Sequence, residues 1–240
     1  MRTHFIVHES FEAPGAYEDW ARARGHEISH SRVHEGDPLP RSADGIDLLI
    51  VMGGPQRPST TTEECPHFDA AAEKALIAAC VAADRAVIGI CLGAQLVGEA
   101  LGAAFDSSPN TEIGSFPVSL TDAGREHPFL AGLGDTFDTG HWHNDMPGLT
   151  ADATVLATSA GCPRQIVGYS RYVYGFQCHM EFTPACVEAL IEHSEKELAT
   201  FADRPYVQQP DQLRANDYTE MNAKLMTFLD RLAADHTGRE

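Results

Sequence analysis

The sequence predicts an α/β fold, a mostly parallel sheet with helices on both faces. Three observations predict it. Short apolar runs bounded by turn residues, "THFIVH" (3–8), "GIDLLIVM" (45–52) and "AVIGI" (86–90), have the pattern of buried strands. Segments with helical apolar spacing fall between them, at 17–24, 68–83 and 94–101. Strand and helix in alternation build βαβ units.

Taken in order, the first helix ends at Gly25 and "HEISHSRV" follows as a second strand. The helix over 94–101 is closed by Gly102. "IGSFPVSL", "DTFDTGHWH", "TVLATS", "QIVGYS" and "VYGFQCH" then form successive strands with short turns, some continuing the main sheet and others adding to it antiparallel. From Thr183 the pattern is helical again, with one helix over 184–201, a loop "ADRPYVQQPD" and a second helix over 212–234. The last residues, "HTGRE", are expected to fray. Residues 1–185 are thus expected to form the main domain and 186–240 a C-terminal helical extension of it.

The 240 residues suffice for a core that needs no staples. Lys and Arg number 17 against 35 Asp and Glu, a net charge of −18, which argues against nucleic acid or an anionic membrane as partner. No apolar run approaches the ~20 residues of a membrane span. "MRTHFIVHES" lacks the features of a signal peptide, so a cytoplasmic location is expected. The six cysteines contain no C-x-x-C pair and are scattered, unlike a disulfide framework.

One cysteine stands apart. In "AVIGICLGAQLVGEALG" (86–102) a buried strand runs into Gly89-Ile90-Cys91-Leu92-Gly93 and then into a helix. G-x-C-x-G is the form of a nucleophile elbow with cysteine in the serine position. Bulky residues two before or two after would collide with strand and helix. The turn lifts the sulfur to the C-terminal edge of the sheet, and the helix N-terminus favours thiolate over thiol. The Leu92 N–H points to the same place and suits a developing oxyanion.

A nucleophile needs a base and an orienter. "YGFQCHMEFTP" (174–184) reads as a strand ending in His179, with Glu181 two residues on and so on the same face. The carboxylate can then hold the imidazole as in a nucleophile–base–orienter triad. "VMGGPQ" (51–56) follows a buried strand, and its glycine N–H groups are unencumbered, as a second oxyanion donor requires.

"MGGPQ", "GICLGAQL" and "GFQCHME", in this order, resemble the three signatures of class I glutamine amidotransferases, over roughly residues 3–185. The resemblance implies a flavodoxin-like sheet and hydrolysis of the glutamine side-chain amide. It implies Cys91 as nucleophile, His179 as base and Glu181 as orienter. The N–H groups of Gly54 and Leu92 become the oxyanion hole, and Gln95 and Gly53 contacts to substrate. No cofactor and no metal are implied. "EIGSFPVSLTDAG" (112–124) and "GHWHND" (140–145) further resemble the small stand-alone branch similar to GMP synthase, with Asn144 in place of a glycine. Cys178 and Met180 stand where the commonest family pattern has phenylalanine and proline.

His141 and His143 share a strand face, with Trp142 opposite. That spacing suits a metal, but no third or fourth ligand is evident. Trp142 and His143 are therefore expected to line the substrate mouth, a plain structural strand being the alternative.

The substrate is a small molecule, glutamine or a γ-glutamyl compound. The chain carries no G-x-x-x-x-G-K-[ST] loop and no room for an ATP-using module after Glu181. It reads either as a glutaminase feeding ammonia to a synthetase partner or as a stand-alone hydrolase of γ-glutamyl peptides or amides. A non-catalytic or redox-sensing module, with Cys178 resolving Cys91, is the non-enzyme alternative. A homodimer stays open.

Overall fold

A computed structural model of the chain describes residues 1–238. Its strands are β1 (Arg2–Val7), β2 (Glu27–Arg32), β3 (Leu48–Val51), β4 (Ala86–Ile90), β5 (Asp106–Leu120), β6 (Thr136–Met146), β7 (Thr154–Ser159), β8 (Ile166–Ser170) and β9 (Val173–Phe176). They form one sheet in the order β2-β1-β3-β4-β9-β8-β7-β5-β6. The run β2-β1-β3-β4-β9 is parallel throughout. That is the 2-1-3-4-5 order of flavodoxin-like folds, with its switch point between β1 and β3. The remaining strands pair antiparallel, continuing the sheet beyond β9.

The continuous apolar runs are explained by burial on both faces. Leu48, Ile50, Ile88 and Ile90 point into one core, and Leu49, Val51 and Val87 into the other. The second core is covered by α2 (Ala70–Ala82), capped by the Asp69 side chain on the Ala71 and Ala72 N–H groups, and by α3 (Leu92–Ala100). The first core is covered by α1 (Ala16–Ala23) and by the helices at the end of the chain.

Those final helices are shorter and more numerous than expected. The helix expected over 184–201 is broken at Ser194 into α5 (Pro184–His193) and α6 (Glu195–Thr200), after the short α4 (Asp122–Glu126) earlier in the chain. The helix expected over 212–234 is α7 (Pro210–Ala215) followed by α8 (Thr219–Thr237). Asn216 leaves the helix to donate to Gln208 Oε1 (2.7 Å), and Asp217 accepts the Thr219 N–H (2.9 Å). Such side chains offer the backbone an alternative to helix. In α8, Leu225, Phe228, Leu229 and Leu232 recur at helical spacing and are fully buried. Trp20 Nε1 donates to Asp230 (2.8 Å), tying α8 to α1. Of the tail expected to fray, His236 and Thr237 are helical, while Arg239 and Glu240 lie outside the described residues. No helix among the described residues is long and apolar enough to cross a membrane.

Candidate active site

The corner at Cys91 is a strained elbow. Cys91 has φ 51° and ψ −108° and stands just before α3, which begins at Leu92 rather than Ala94. A non-glycine residue at positive φ costs of order 1–3 kcal/mol and persists where its surroundings over-determine it. Here they do. A Cβ on Gly89 would strike the Gly93 carbonyl, and a Cβ on Gly93 would strike that of Val51, so both glycines are required by backbone contact. The Cys91 N–H is fixed on Phe176 O (2.8 Å), and its thiol lies 3.6 Å from Trp142 O. The thiol is not an open surface corner: Cys91 is 7% exposed, at the base of a cleft.

His179 and Glu181 lie beyond β9, which stops at Phe176, and not in a strand as expected. Their convergence is nonetheless tight, with His179 Nδ1 2.6 Å from Glu181 Oε1. The backbone of His179 pairs both ways with Gly140 of β6 (2.7 and 3.0 Å), and its ring stacks on Phe182 at 4.4 Å. Glu181 is held by its carbonyl, which accepts from the Ala16 N–H at the start of α1 (3.0 Å). By distance and angle, His179 Nε2 has no hydrogen-bond partner among the described residues. Burial alone would lower the His179 pKa, but the charges of Glu181 and of a Cys91 thiolate outweigh it and raise the pKa well above its ordinary value.

The loop after β3 faces this pair. A Cβ on Gly53 would lie 3.3 Å from His179 Cε1 and 3.4 Å from Cys91 Cβ, which puts the loop against both residues. Neither the Gly54 N–H nor the Leu92 N–H has a backbone acceptor among the described residues. The loop is anchored from below by His8, whose Nδ1 lies 2.9 Å from Gly53 O and whose Nε2 lies 2.8 Å from Glu73 Oε2. Burial opposes a charged His8, yet Glu73 raises its pKa above the ordinary value.

A cleft of about 370 Å³ opens over Cys91. Gly54, Gln95, Trp142 and His143 line it, and Glu12, Arg57 and Lys196 bring charge to it. Gln95 is buried and its amide donates to Gln177 Oε1 (3.2 Å). Gly53 meets the site as described above. The helical extension makes one wall: Glu197 accepts from Trp142 Nε1 (3.0 Å) and Asn144 Nδ2 (3.4 Å), and His193 stacks on Phe11 at 4.5 Å. Asn222 of α8 donates to the carbonyls of Met180 (2.8 Å) and Phe182 (3.1 Å), pinning the segment that carries His179 and Glu181.

Sequence reasoning missed Glu12, Glu197 and Asn222. Burial, with the Glu181 charge adding to it against His179 and His8, pushes the Glu12 carboxyl up to about 7. Its place just past β1, at the switch point, was a usable signal. Glu197 and Asn222 carry no local signal, because their partners lie 40 to 55 residues away.

The "HWH" strand gains a third polar residue that its sequence does not reveal. Glu112 Oε2, on the paired β5, lies 3.3 Å from His143 Nε2 and 3.8 Å from His141 Nδ1. The carboxylate is already taken up by Ser159 Oγ (2.7 and 2.8 Å) and Gln165 Nε2 (2.6 Å), and burial pushes His141 down to about 3. This is a buried polar network in which His141 Nδ1, His143 Nδ1 and Gln165 Oε1 have no hydrogen-bond partner among the described residues. Cys178 is also fully buried, its Sγ 3.7 Å from Gln165 O, and burial raises its pKa. All six cysteines are free.

Residues 19–192 match the glutamine amidotransferase class-I family. The putative glutamine amidotransferase-like protein YfeJ of Salmonella typhimurium is 58% identical over 237 residues, 99% of each chain. The GMP synthase (glutamine-hydrolysing) of Vibrio atlanticus is 32% identical over 158 residues, covering 63% of this chain and 26% of the relative. Among solved structures, that of SMU.1228c superposes with a TM-score of 0.95 at 49% identity, over 97% of this chain and 100% of that one. A family match over residues 19–192, most of the chain, places this protein among the class I glutamine amidotransferases.

Proposed function

We propose that the protein hydrolyses the side-chain amide of glutamine to glutamate and ammonia, with Cys91 as nucleophile. One observation carries this reading: Cys91 Cβ and His179 Cε1 lie 3.4 and 3.3 Å from the same point beside Gly53, while Glu181 occupies Nδ1 and Nε2 has no hydrogen-bond partner among the described residues. The thiolate attacks the amide carbon, and the carbonyl electron pair moves onto oxygen. The N–H groups of Gly54 and Leu92 donate hydrogen bonds to that oxygen; one such donor is typically worth ~10²–10³ in rate. On collapse the C–N bond breaks, and His179 gives its proton to the departing ammonia. A thioester remains. His179 then takes a proton from water as it attacks, releasing glutamate and the thiolate. Glu181 holds the imidazole tautomer and supports its charge. Gln95, Gly53, Trp142 and His143 shape the substrate seat.

A second reading is favoured by one feature. The wall over the cleft is made by the chain's own α5 and α6. A γ-glutamyl amide with a bulkier leaving amine could be seated there without a partner, and the chemistry is unchanged except for the amine released. Ammonia made here would otherwise require a synthetase as acceptor.

The test is amine release from glutamine, γ-glutamyl dipeptides and asparagine, each with the wild-type and Cys91→Ala proteins. Turnover of glutamine alone, lost in the variant, supports the glutaminase. Turnover of dipeptides supports the second reading. Activity retained by Cys91→Ala overturns both.

A further inference from the structure

A second set of cysteine, histidine and glutamate lies on the other side of the Gly53–Gln56 loop. Glu9 follows β1, and Cys65 and His67 follow β3, so the set sits at the β1–β3 switch point, where open α/β sheets place their ligands. His67 Nε2 is 2.9 Å from Glu9 Oε1 and 3.4 Å from Cys65 Sγ. The three ligand-type atoms lie within 4.8 Å of one another. Cys65 is the one cysteine of the six that is not buried, so solvent reaches the cluster.

We propose that Glu9, Cys65 and His67 bind a thiophilic divalent cation of the zinc class. The decisive feature is that a carboxylate from the segment after β1 and a thiol and an imidazole from the loop after β3 gather their ligand-type atoms within 4.8 Å of one another. The thiol lies beside both nitrogens of the ring and the carboxylate beside Nε2, so the three groups crowd one place. Tetrahedral zinc with Zn–N, Zn–O and Zn–S distances of about 2.0–2.3 Å needs its ligand atoms roughly 3.3–3.6 Å apart; the 3.4 Å between His67 Nε2 and Cys65 Sγ meets that, and the 2.9 Å between Nε2 and Glu9 Oε1 would widen on binding. A carboxylate, an imidazole and a thiolate are a fitting donor set, and the thiol proton leaves to solvent on binding.

The fourth position is served by water or by Gln56. Its Nε2 now donates to Glu9 Oε1 (2.6 Å) and approaches Cys65 Sγ (3.5 Å), while its Oε1 is buried with no hydrogen-bond partner among the described residues. Turning the amide over presents Oε1 to the cation. Gln56 also packs against Gly54, where a Cβ would lie 2.5 Å from Oε1. The cation would therefore bear on the loop that carries the Gly54 N–H.

Cobalt(II) and zinc titrations of the full-length Cys91→Ala protein test the proposal. That background removes the catalytic thiol and makes the readout independent of glutamine hydrolysis. One equivalent of cobalt is expected to give thiolate-to-cobalt charge-transfer absorption, lost in Cys91→Ala/Cys65→Ser. Zinc affinity is expected to fall at least about tenfold in Cys91→Ala/His67→Ala and Cys91→Ala/Glu9→Gln, which keep the site testable if one variant folds poorly. Absence of the absorption in Cys91→Ala, or its persistence after Cys65→Ser, overturns the proposal.

Discussion

Cys91, His179 and Glu181 on one side of the Gly53–Gln56 loop, and Cys65, His67 and Glu9 on the other, are the same three residue types in opposite arrangements. In the first set the carboxylate takes Nδ1, and Nε2 has no hydrogen-bond partner among the described residues; on the proposed reading the ring relays a proton between Nε2 and the Cys91 sulfur. In the second, the carboxylate takes Nε2, and the sulfur lies beside both ring nitrogens, 3.4 Å from Nε2 and 3.7 Å from Nδ1. The first set is buried and fixed by backbone contacts at Gly89, Gly93 and Gly140; the second is half-buried on a loop. Composition does not distinguish the two sets; the nitrogen each carboxylate takes, and the rigidity behind the cysteine, do.

The largest effect separates the two thiols. In a metal-free glutaminase assay Cys91→Ala is expected to lose more than about 10⁴-fold in kcat. Cys65→Ser should stay within about twofold of wild type, as a loop substitution with small energetic consequence. The reverse order would exchange the roles of the two sets. Next come the carboxylates: Glu181→Gln removes the charge behind His179 and is expected to cost about 10³–10⁴ in kcat. Glu9→Gln should cost tenfold at most, by loosening Gln56. Equal losses would merge the sets into one machine.

Rigidity can be tested at the elbow itself. Gly93→Ala places a Cβ against the Val51 carbonyl. It should destabilise the fold by about 3 kcal/mol, read as a Tm lowered by roughly 6–10 °C. A variant that melts as wild type would show that the elbow is not held by that contact. Asn222→Ala leaves two carbonyls of the His179 segment unpaired and should cost about 1–2 kcal/mol, with kcat several-fold lower. Melting unchanged together with unchanged kcat would show that α8 does not position the triad.

The smallest effect is a pH dependence. His8 and His179 both have folded pKa values raised above the ordinary one. The stability they contribute is fully present below their unfolded pKa of about 6.5 and is lost as pH rises through the folded values. Tm is therefore expected to fall as pH rises above that range, and Glu73→Gln should flatten the His8 share. A Tm that rises over the same interval would contradict the charged pairs.

The sequence by itself determined the parallel half of the sheet, because strands buried on both faces must be continuously apolar and their crossovers must be helical. It also determined the elbow, because Gly89 and Gly93 answer contacts made within the same strand–turn–helix unit and its neighbour β3. The pairing of His179 with Glu181 was legible from their spacing, although the strand assumed to carry them ends at Phe176. Tertiary structure decided the rest. Ser194 and Asn216 divide the final helices through side-chain and backbone choices that helical spacing does not register. Glu12, Glu197 and Asn222 reach the site only because β1, α6 and α8 are brought to it by the fold. Glu112 joined His141 and His143 by strand register, and Glu9 joined Cys65 and His67 across the β1–β3 switch point. Contacts between residues tens of positions apart depend on which elements become neighbours, and local patterns of polarity do not encode that.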